Sequence, residues 1–293
     1  MADTNDSFFQ KALSSALGSG IVVLGYSHLS GGCIHNALKL NTNRGEYFIK
    51  YNNISDFEMF QTELRGLKLL YETQEINVPR AIDCDIIEGK SYLLLEYLES
   101  RNQMPDFWEQ FGASLANLHS KFQHDNYGLE YDNFIGRLPQ NNSMYENWIE
   151  FFIENRLAPQ IKLAFSNRLV DIKYLDRFDR FYDLLPDLLP LEPPSLLHGD
   201  LWSGNFITAS DGYAALIDPA IYYGNREIEL SFTKMFGGFD RKFYEAYNEI
   251  FPLAPGFDQR IDIYNLYPHL VHVNLFGTSY LSGVDPVIRK YIP

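Results

Sequence analysis

Residues 196–206 read LLHGDLWSGNF. Two leucines lead into His198, Gly199 and Asp200; Asn205 follows, and the apolar run resumes at Phe206. Gly, Asp, Ser and Asn form turns for local backbone reasons, so composition alone makes this a turn. The pattern says more, because it sets a carboxylate and a side-chain amide on one short loop. Such a loop can hold a proton acceptor beside a metal ligand. Its use depends on what the rest of the chain supplies.

The chain has 293 residues, enough for one large or two medium domains. Its formal net charge of −14 repels phosphate backbones and anionic membranes, so nucleic acid is not expected as a partner. Acids stand near the amino terminus where a signal peptide carries positive charge, and no apolar run reaches the ~20 residues that span a bilayer. A cytoplasmic protein with no membrane partner is expected. Cys33 and Cys84, the only cysteines, are too few for a disulfide framework or a cysteine-built zinc site.

The character of the sequence changes near residue 100. Before it, IVVLGYS (21–27), CIHNALKL (33–40), EYFIKY (46–51), RAIDCDII (80–87) and SYLLLEYL (91–98) read as strands. One helix interrupts them at SDFEMFQTELRGLKLLYE (55–72), with Phe57, Phe60, Leu64, Leu67 and Tyr71 at helical spacing and Ser55 with Glu58 as a capping box. After residue 100, helices are predicted around the stripe Phe107, Phe111, Leu115 and Leu118, over 145–164 and over 226–236, with short strands at SLLH (195–198) and YAALID (213–218). The expectation is an α+β chain: a small β-rich domain over 1–98 and a larger, mainly helical one over 99–293.

Phosphoryl transfer needs placed charges: a cover for the phosphates, a cation on them, metal ligands and an acceptor for the hydroxyl proton. Lys50 alternates with Phe48 on a predicted strand, and Glu63 flanks the apolar stripe of the next helix. Gly31 and Gly32 lie between two strands, where backbone amides can approach phosphates. Asp218 ends a strand before Pro219, which biases it towards extended backbone. Each piece alone reads as an ordinary surface charge or turn. Their order carries the argument: Gly-Gly, strand Lys, helix Glu, join, H-G-D-x4-N, strand, Asp follows protein-kinase logic, with H-G-D where many kinases have H-R-D. Asp200 and Asp218 as a glycosidase pair would leave Lys50, Glu63 and Asn205 without roles. A non-catalytic nucleotide binder would be expected to lack one of these groups. His198 reads as a loop brace and Trp108 with Phe111 as core.

Several stretches carry a resemblance: LLHGDLWSGNF, LIDPAIYYGNREIEL (216–230), MFGGF (235–239), FYEAY (243–247) and APGFDQRIDIYNLY (254–267), together with SGGCIHNALKL (30–40), DNFIGRLPQNN (132–142) and ENRLAPQIKLA (154–164). The chain resembles the fructosamine kinase, or ketosamine-3-kinase, family from about Leu17 to about Gly283. HGDLWSGN combined with DPAxYYG and FGGF separates this family from aminoglycoside and choline kinases. The resemblance implies a protein-kinase-like fold of two lobes and an enzyme that uses ATP and magnesium to phosphorylate the 3-hydroxyl of ketoamine sugars on amines or on protein lysines. It implies Asp200 as proton acceptor, Asn205 and Asp218 as magnesium ligands, Lys50 on the ATP phosphates and Glu63 on the lysine. It further implies Glu96 and Tyr97 at the adenine hinge and Trp202 in the sugar pocket, where Trp148 is expected to offer a second flat face. Met144 and Val273 stand where relatives often carry aromatics, which bears on substrate preference. Relatives of bacterial type favour ribulosamines and erythrulosamines over fructosamines. Cys33 follows the glycine pair, with His35 nearby to lower its thiol pKa, and the family position implies a redox-sensitive homodimer through Cys33.

Overall fold

The computed structural model of the chain describes residues 4–29 and 35–293. Gly31, Gly32 and Cys33 lie outside the described residues. Two compact units emerge, Met1–Pro105 with Ile207–Asp218, and Asp106–Phe206 with Pro219–Pro293. This division differs from the 1–98 and 99–293 expectation because a late hairpin, β9 (Phe206–Thr208) with β10 (Ala214–Leu216), is hydrogen-bonded to the earlier chain. Leu216 N–H donates to Asn77 O at 2.8 Å, and Met104 N–H donates to Gly212 O at 3.0 Å. Residues 99–105 and the strand leading to Asp218 therefore go with the first unit.

In the first unit, five antiparallel strands run in the order β1-β2-β3-β5-β4: β1 (Val23–His28), β2 (Asn36–Thr42), β3 (Gly45–Asn53), β4 (Ala81–Ile87) and β5 (Lys90–Glu96). The sequence reading assigns no element before them, yet α1 (Thr4–Leu17) precedes the sheet. Phe8, Phe9, Ala12 and Leu13 bury one side of this helix in a cluster with Leu38, Leu40, Ile49, Tyr92 and Leu94. These 8/12 and 9/13 pairs at helical spacing are the signal that could have found it. Strand side chains alternate between faces, so Ile49 in this cluster sends Lys50 to the opposite face, where α2 (Phe57–Thr73) packs on β4 and β5.

The buried seam of α2 is Phe60, Leu67 and Leu70, with Tyr71 exposed although its spacing fits the stripe. The capping box does not form. Residues Ile54–Asp56 make a 3-10 turn, the helix starts after Asp56, and Ser55 Oγ donates to Asp56 Oδ1 at 3.3 Å instead. Glu63 falls between Phe60 and Leu67 on the same helix face, which turns its carboxylate towards the sheet.

The second unit is mainly helical. Its helix α3 (Phe107–Lys121) buries Phe107, Phe111, Leu115 and Leu118, as the stripe predicts, and packs on Arg241–Ile250. Trp108 is half-buried and stacks on Phe111, with ring centroids 6.1 Å apart. Two short antiparallel pairs complete it: β6 (Asn133–Ile135) with β7 (Leu138–Gln140), and β8 (Ser195–Leu197) with β11 (Tyr222–Gly224). The chain leaves β8 directly into His198–Asp200 and reaches β11 from Pro219, so one strand pair fixes both sides of that turn.

Candidate active site

The sequence-derived residues fall into two groups, one in each unit. In the first unit, Lys50 is buried on β3 and its Nζ donates to Glu63 Oε1 at 2.8 Å and to Asp218 Oδ1 at 2.5 Å. Burial alone opposes the ammonium charge, but Asp218 and Glu63 outweigh it and hold Lys50 above its ordinary value. Burial also pushes the Glu63 carboxyl up; Lys50 pulls it back, Asp218 adds to the rise, and the net direction is upward. Three side chains from β3, α2 and the strand end after β10 thus form one charged cluster.

Asp218 takes φ +58°, in the left-handed region, and not the extended backbone that Pro219 was expected to impose. Asp tolerates this region better than most residues, and the arrangement costs about 1–3 kcal/mol. The ion pair to Lys50 holds the carboxylate that the strained backbone presents. At the end of β5, Glu96 N–H donates to Arg80 O at 3.0 Å and its carboxylate accepts from Arg80 N–H at 3.3 Å. The Tyr97 ring lies under Lys39 Nζ, 4.5 Å from its centroid. His35, expected to activate the Cys33 thiol, has its ring nitrogens 3.2 Å from Asn52 Nδ2 and 3.2 Å from Met59 Sδ. On β4, burial with Asp83 and Asp85 pushes the Cys84 thiol up to about 12, so Cys84 stays protonated at neutral pH.

In the second unit, Asn205 Nδ2 donates to the carboxylate Oδ2 and to the main-chain oxygen of Asp200, both at 2.8 Å. This fixes the amide flip, because only the nitrogen can donate, and leaves the amide oxygen turned away from Asp200. His198 is buried, its Nδ1 accepts from Asp200 N–H at 3.3 Å and its carbonyl accepts from Ala220 N–H at 2.9 Å. A ring committed to its own loop in this way acts as the expected brace.

Gly199 explains why this loop reads H-G-D. Its φ is +83°, and a Cβ there would lie 2.0 Å from Ala220 O. No side chain, arginine included, fits between the turn and that peptide. Gly199→Ala is expected to displace the turn and to lower turnover by about tenfold or more while the protein still folds, checked by steady-state kinetics beside a thermal melt.

Sequence reasoning missed the partner on the other side of Gly199. Glu229, fully buried on Arg226–Phe232, accepts from Gly199 N–H at 2.7 Å and sits 2.9 Å from His119 Nε2. Burial alone would raise its pKa; His119, His198 and the Gly199 amide outweigh it and keep Glu229 below the usual carboxylate range. The first of the two glutamates in REIEL, Glu227, instead pairs with Arg260 at 2.6 Å. Helical periodicity cannot tell which of two glutamates faces a loop 30 residues earlier.

Trp202 is half-buried, with its ring against Gly204, where a Cβ would meet the indole at 2.3 Å, and 5.6 Å from the exposed Phe236. Phe236 also meets His272 at 5.2 Å. Trp148 does not share this surface. It is fully buried in a stack with Phe151 and Phe152, at 5.6 and 5.4 Å, and presents no face to a ligand. Its spacing to those two rings is that of a core stripe, and burial of three large rings on one side of a helix outweighs exposure for binding. Of the two departures noted in the sequence, Met144 is exposed and Val273 is buried. Asp200 also borders a small cavity lined by Tyr222, Glu229, Phe232, Tyr267 and His272.

Comparison with known proteins bears on these groups. A family model described as Fructosamine kinase matches residues 6–293. A chain of Synechocystis sp. named "Probable ketoamine kinase" is 39% identical over 268 residues, covering 89% of this chain and 88% of that one. A chloroplastic protein-ribulosamine 3-kinase of Oryza sativa subsp. indica is 37% identical over 279 residues, covering 94% and 81%. Among solved structures, one from Haemophilus somnus 129PT that carries a fructosamine-3-kinase name superposes with a TM-score of 0.88 at 31% identity over 97% of each chain. An aminoglycoside phosphotransferase, APH(4)-Ia, in ternary complex with AMP-PNP and hygromycin B shares the fold at a TM-score of 0.64 and 17% identity, covering 97% of this chain and 98% of that one. The fold is protein-kinase-like, an antiparallel sheet unit followed by a mainly helical one.

Proposed function

The chain belongs to the fructosamine kinase family, and from that premise we propose how its residues divide the transfer of a phosphoryl group from ATP to the 3-hydroxyl of a ketoamine. The enzyme is a phosphotransferase acting on a hydroxyl group. Asp200 accepts the hydroxyl proton as the oxygen attacks, and Asn205 holds that carboxylate in place. Lys50, aligned by Glu63, lies on the phosphates of ATP, and backbone groups at Glu96 and Tyr97 receive the adenine. Gly31 and Gly32 cover the phosphates in this reading. The sugar stacks on Trp202, with Phe236 beside it.

Magnesium fits the donors available. The Asp218 carboxylate and the Asn205 amide oxygen, the atom left over once its nitrogen donates to Asp200, are hard oxygen ligands of the kind this ion takes. When bound, it would neutralise charge on the phosphates. The observation that carries the reading is the Lys50–Glu63–Asp218 cluster, which phosphate chemistry uses and sugar hydrolysis does not.

The acceptor proposed is a neutral sugar on a free amine or on a protein lysine, in keeping with the acidity of the chain, and a ribulosamine in preference to a fructosamine, in keeping with the rice relative's name. No described helix is long and apolar enough to cross a membrane. A covalent homodimer through Cys33 under oxidation belongs to the same proposal. The test is ATP consumption against a panel of ketoamines, with the phosphorylated position read by NMR. Ribuloselysine is expected to give the highest kcat/KM and a 3-phosphate product; a higher value for fructoselysine would reverse the sugar preference, and no ketoamine turnover would remove the function.

A further inference from the structure

The motif DNFIGRLPQNN (132–142) has no part in the chemistry assigned above, yet three of its four amide side chains are interior. Asn133 and Gln140 face each other across the β6–β7 hairpin, and with Asn142 and Arg156 they are all more than nine-tenths buried. Arg156 comes from a π-helical turn, Phe152–Leu157, a widened geometry often found at functional sites. Among the described residues its guanidinium has no carboxylate partner. It lies 3.9 Å from the centroid of the Tyr222 ring and donates to Asn141 O at 2.7 Å and to Asn142 Oδ1 at 2.8 Å.

An arginine only donates, so every amide beyond it has a forced orientation. Asn142 presents oxygen to Arg156, and its nitrogen therefore donates onward to Asn133 Oδ1 at 3.0 Å. Asn133 then donates to Ile221 O at 2.8 Å. Gln140 Nε2 donates to Asn133 Oδ1 at 2.8 Å and to Ala220 O at 3.1 Å, and its oxygen accepts from Tyr267 Oη at 2.6 Å. The relay ends on two features of the Asp200 surroundings. One is the Ala220 carbonyl, against which Gly199 is pressed, and the other is Tyr267, which lines the cavity that Asp200 borders.

We propose that Gln140, oriented from Arg156 through Asn142 and Asn133, is a positioning residue for phosphoryl transfer: it pins the Ala220 peptide on which the His198–Asp200 turn is seated and sets the hydroxyl of Tyr267. The inference rests on Asp200 being the proton acceptor. Misplacing a reacting group by a fraction of an ångström costs rate without weakening binding of the remainder of the substrate. The same amides acting only as packing would affect stability and leave the turnover of folded enzyme alone.

Gln140→Glu tests this, because it keeps the size, removes both donors and sets carboxylate oxygens against two acceptors. The expected result is a fall in kcat of about tenfold or more, with KM for ATP and for ketoamine within about threefold and with native near-UV dichroism at the assay temperature. Should this variant not fold, Gln140→Met takes its place with the same expectation. In an Asp200→Asn background the Gln140 change is expected to add less than about twofold, since it acts through the group already removed. A kcat within about twofold of wild type, or a full multiplicative loss in the double variant, overturns the proposal. Unchanged turnover in Asp200→Asn alone would overturn the acceptor assignment instead, which separates the two failures.

Discussion

Asp200→Asn is expected to lower turnover by about 10²-fold or more while ATP still binds. The substitution is nearly isosteric, and an amide at 200 can still offer an oxygen to Asn205 Nδ2, so the loop keeps its main restraints: the His198 brace, the Glu229 acceptor on Gly199 and the close seat on Ala220. What disappears is the carboxylate proposed to orient the attacking hydroxyl and to accept its proton. The ion pairs of Lys50 with Glu63 and Asp218 involve no atom of Asp200. Steady-state kinetics on the best ketoamine, beside calorimetric titration with ATP, separates the two quantities. Wild-type turnover in the variant would remove Asp200 from the chemistry, and loss of nucleotide binding would mean that the substitution had acted on the fold.

The parts of this site that were legible in the sequence are those set by short periods. A two-residue alternation set Lys50 on a predicted strand, and helical spacing set Glu63 on the flank of the apolar stripe; the two meet because β3 and α2 follow one another closely. The H-G-D-x4-N loop was legible for a similar reason, since Asp200 and Asn205 interact within six residues. Face and partner at long range were not. Trp148 has a composition suited to a sugar site, and only its packing with Phe151 and Phe152 shows it to be core. Pro219 argued for an extended Asp218 from its immediate neighbour, whereas Asp218 takes a left-handed backbone with its carboxylate on a lysine 168 positions away. Glu229 and Gln140 each act on a turn reached only through the tertiary fold. Their sequence signal was a motif whose role no local rule supplies.

Lys50→Met is expected to lower kcat/KM for ATP by about 10²- to 10³-fold, the scale on which loss of one pre-placed charge acts in a water-poor site. Methionine keeps the unbranched stem that runs between β3 and α2, so the apolar contacts of the side chain survive. The charge balance changes more. In the wild type one ammonium serves two carboxylates, and its removal leaves Glu63 buried without a cation. Burial already pushes the Glu63 carboxyl up, and losing the Lys50 charge that pulls it back moves it further in the same direction. Asp218 lies nearer to solvent, with 44% of its side chain exposed. A graded pair of variants makes the prediction specific: Glu63→Gln should cost less than Lys50→Met, because the lysine keeps Asp218 as a partner and loses only its alignment. Kinetics at saturating ketoamine, with folding checked by thermal melt, decides the matter. Equal losses in the two variants would make the ion pair a structural clasp, whereas the graded order identifies Lys50 as the group that meets the phosphates and Glu63 as the residue that aims it.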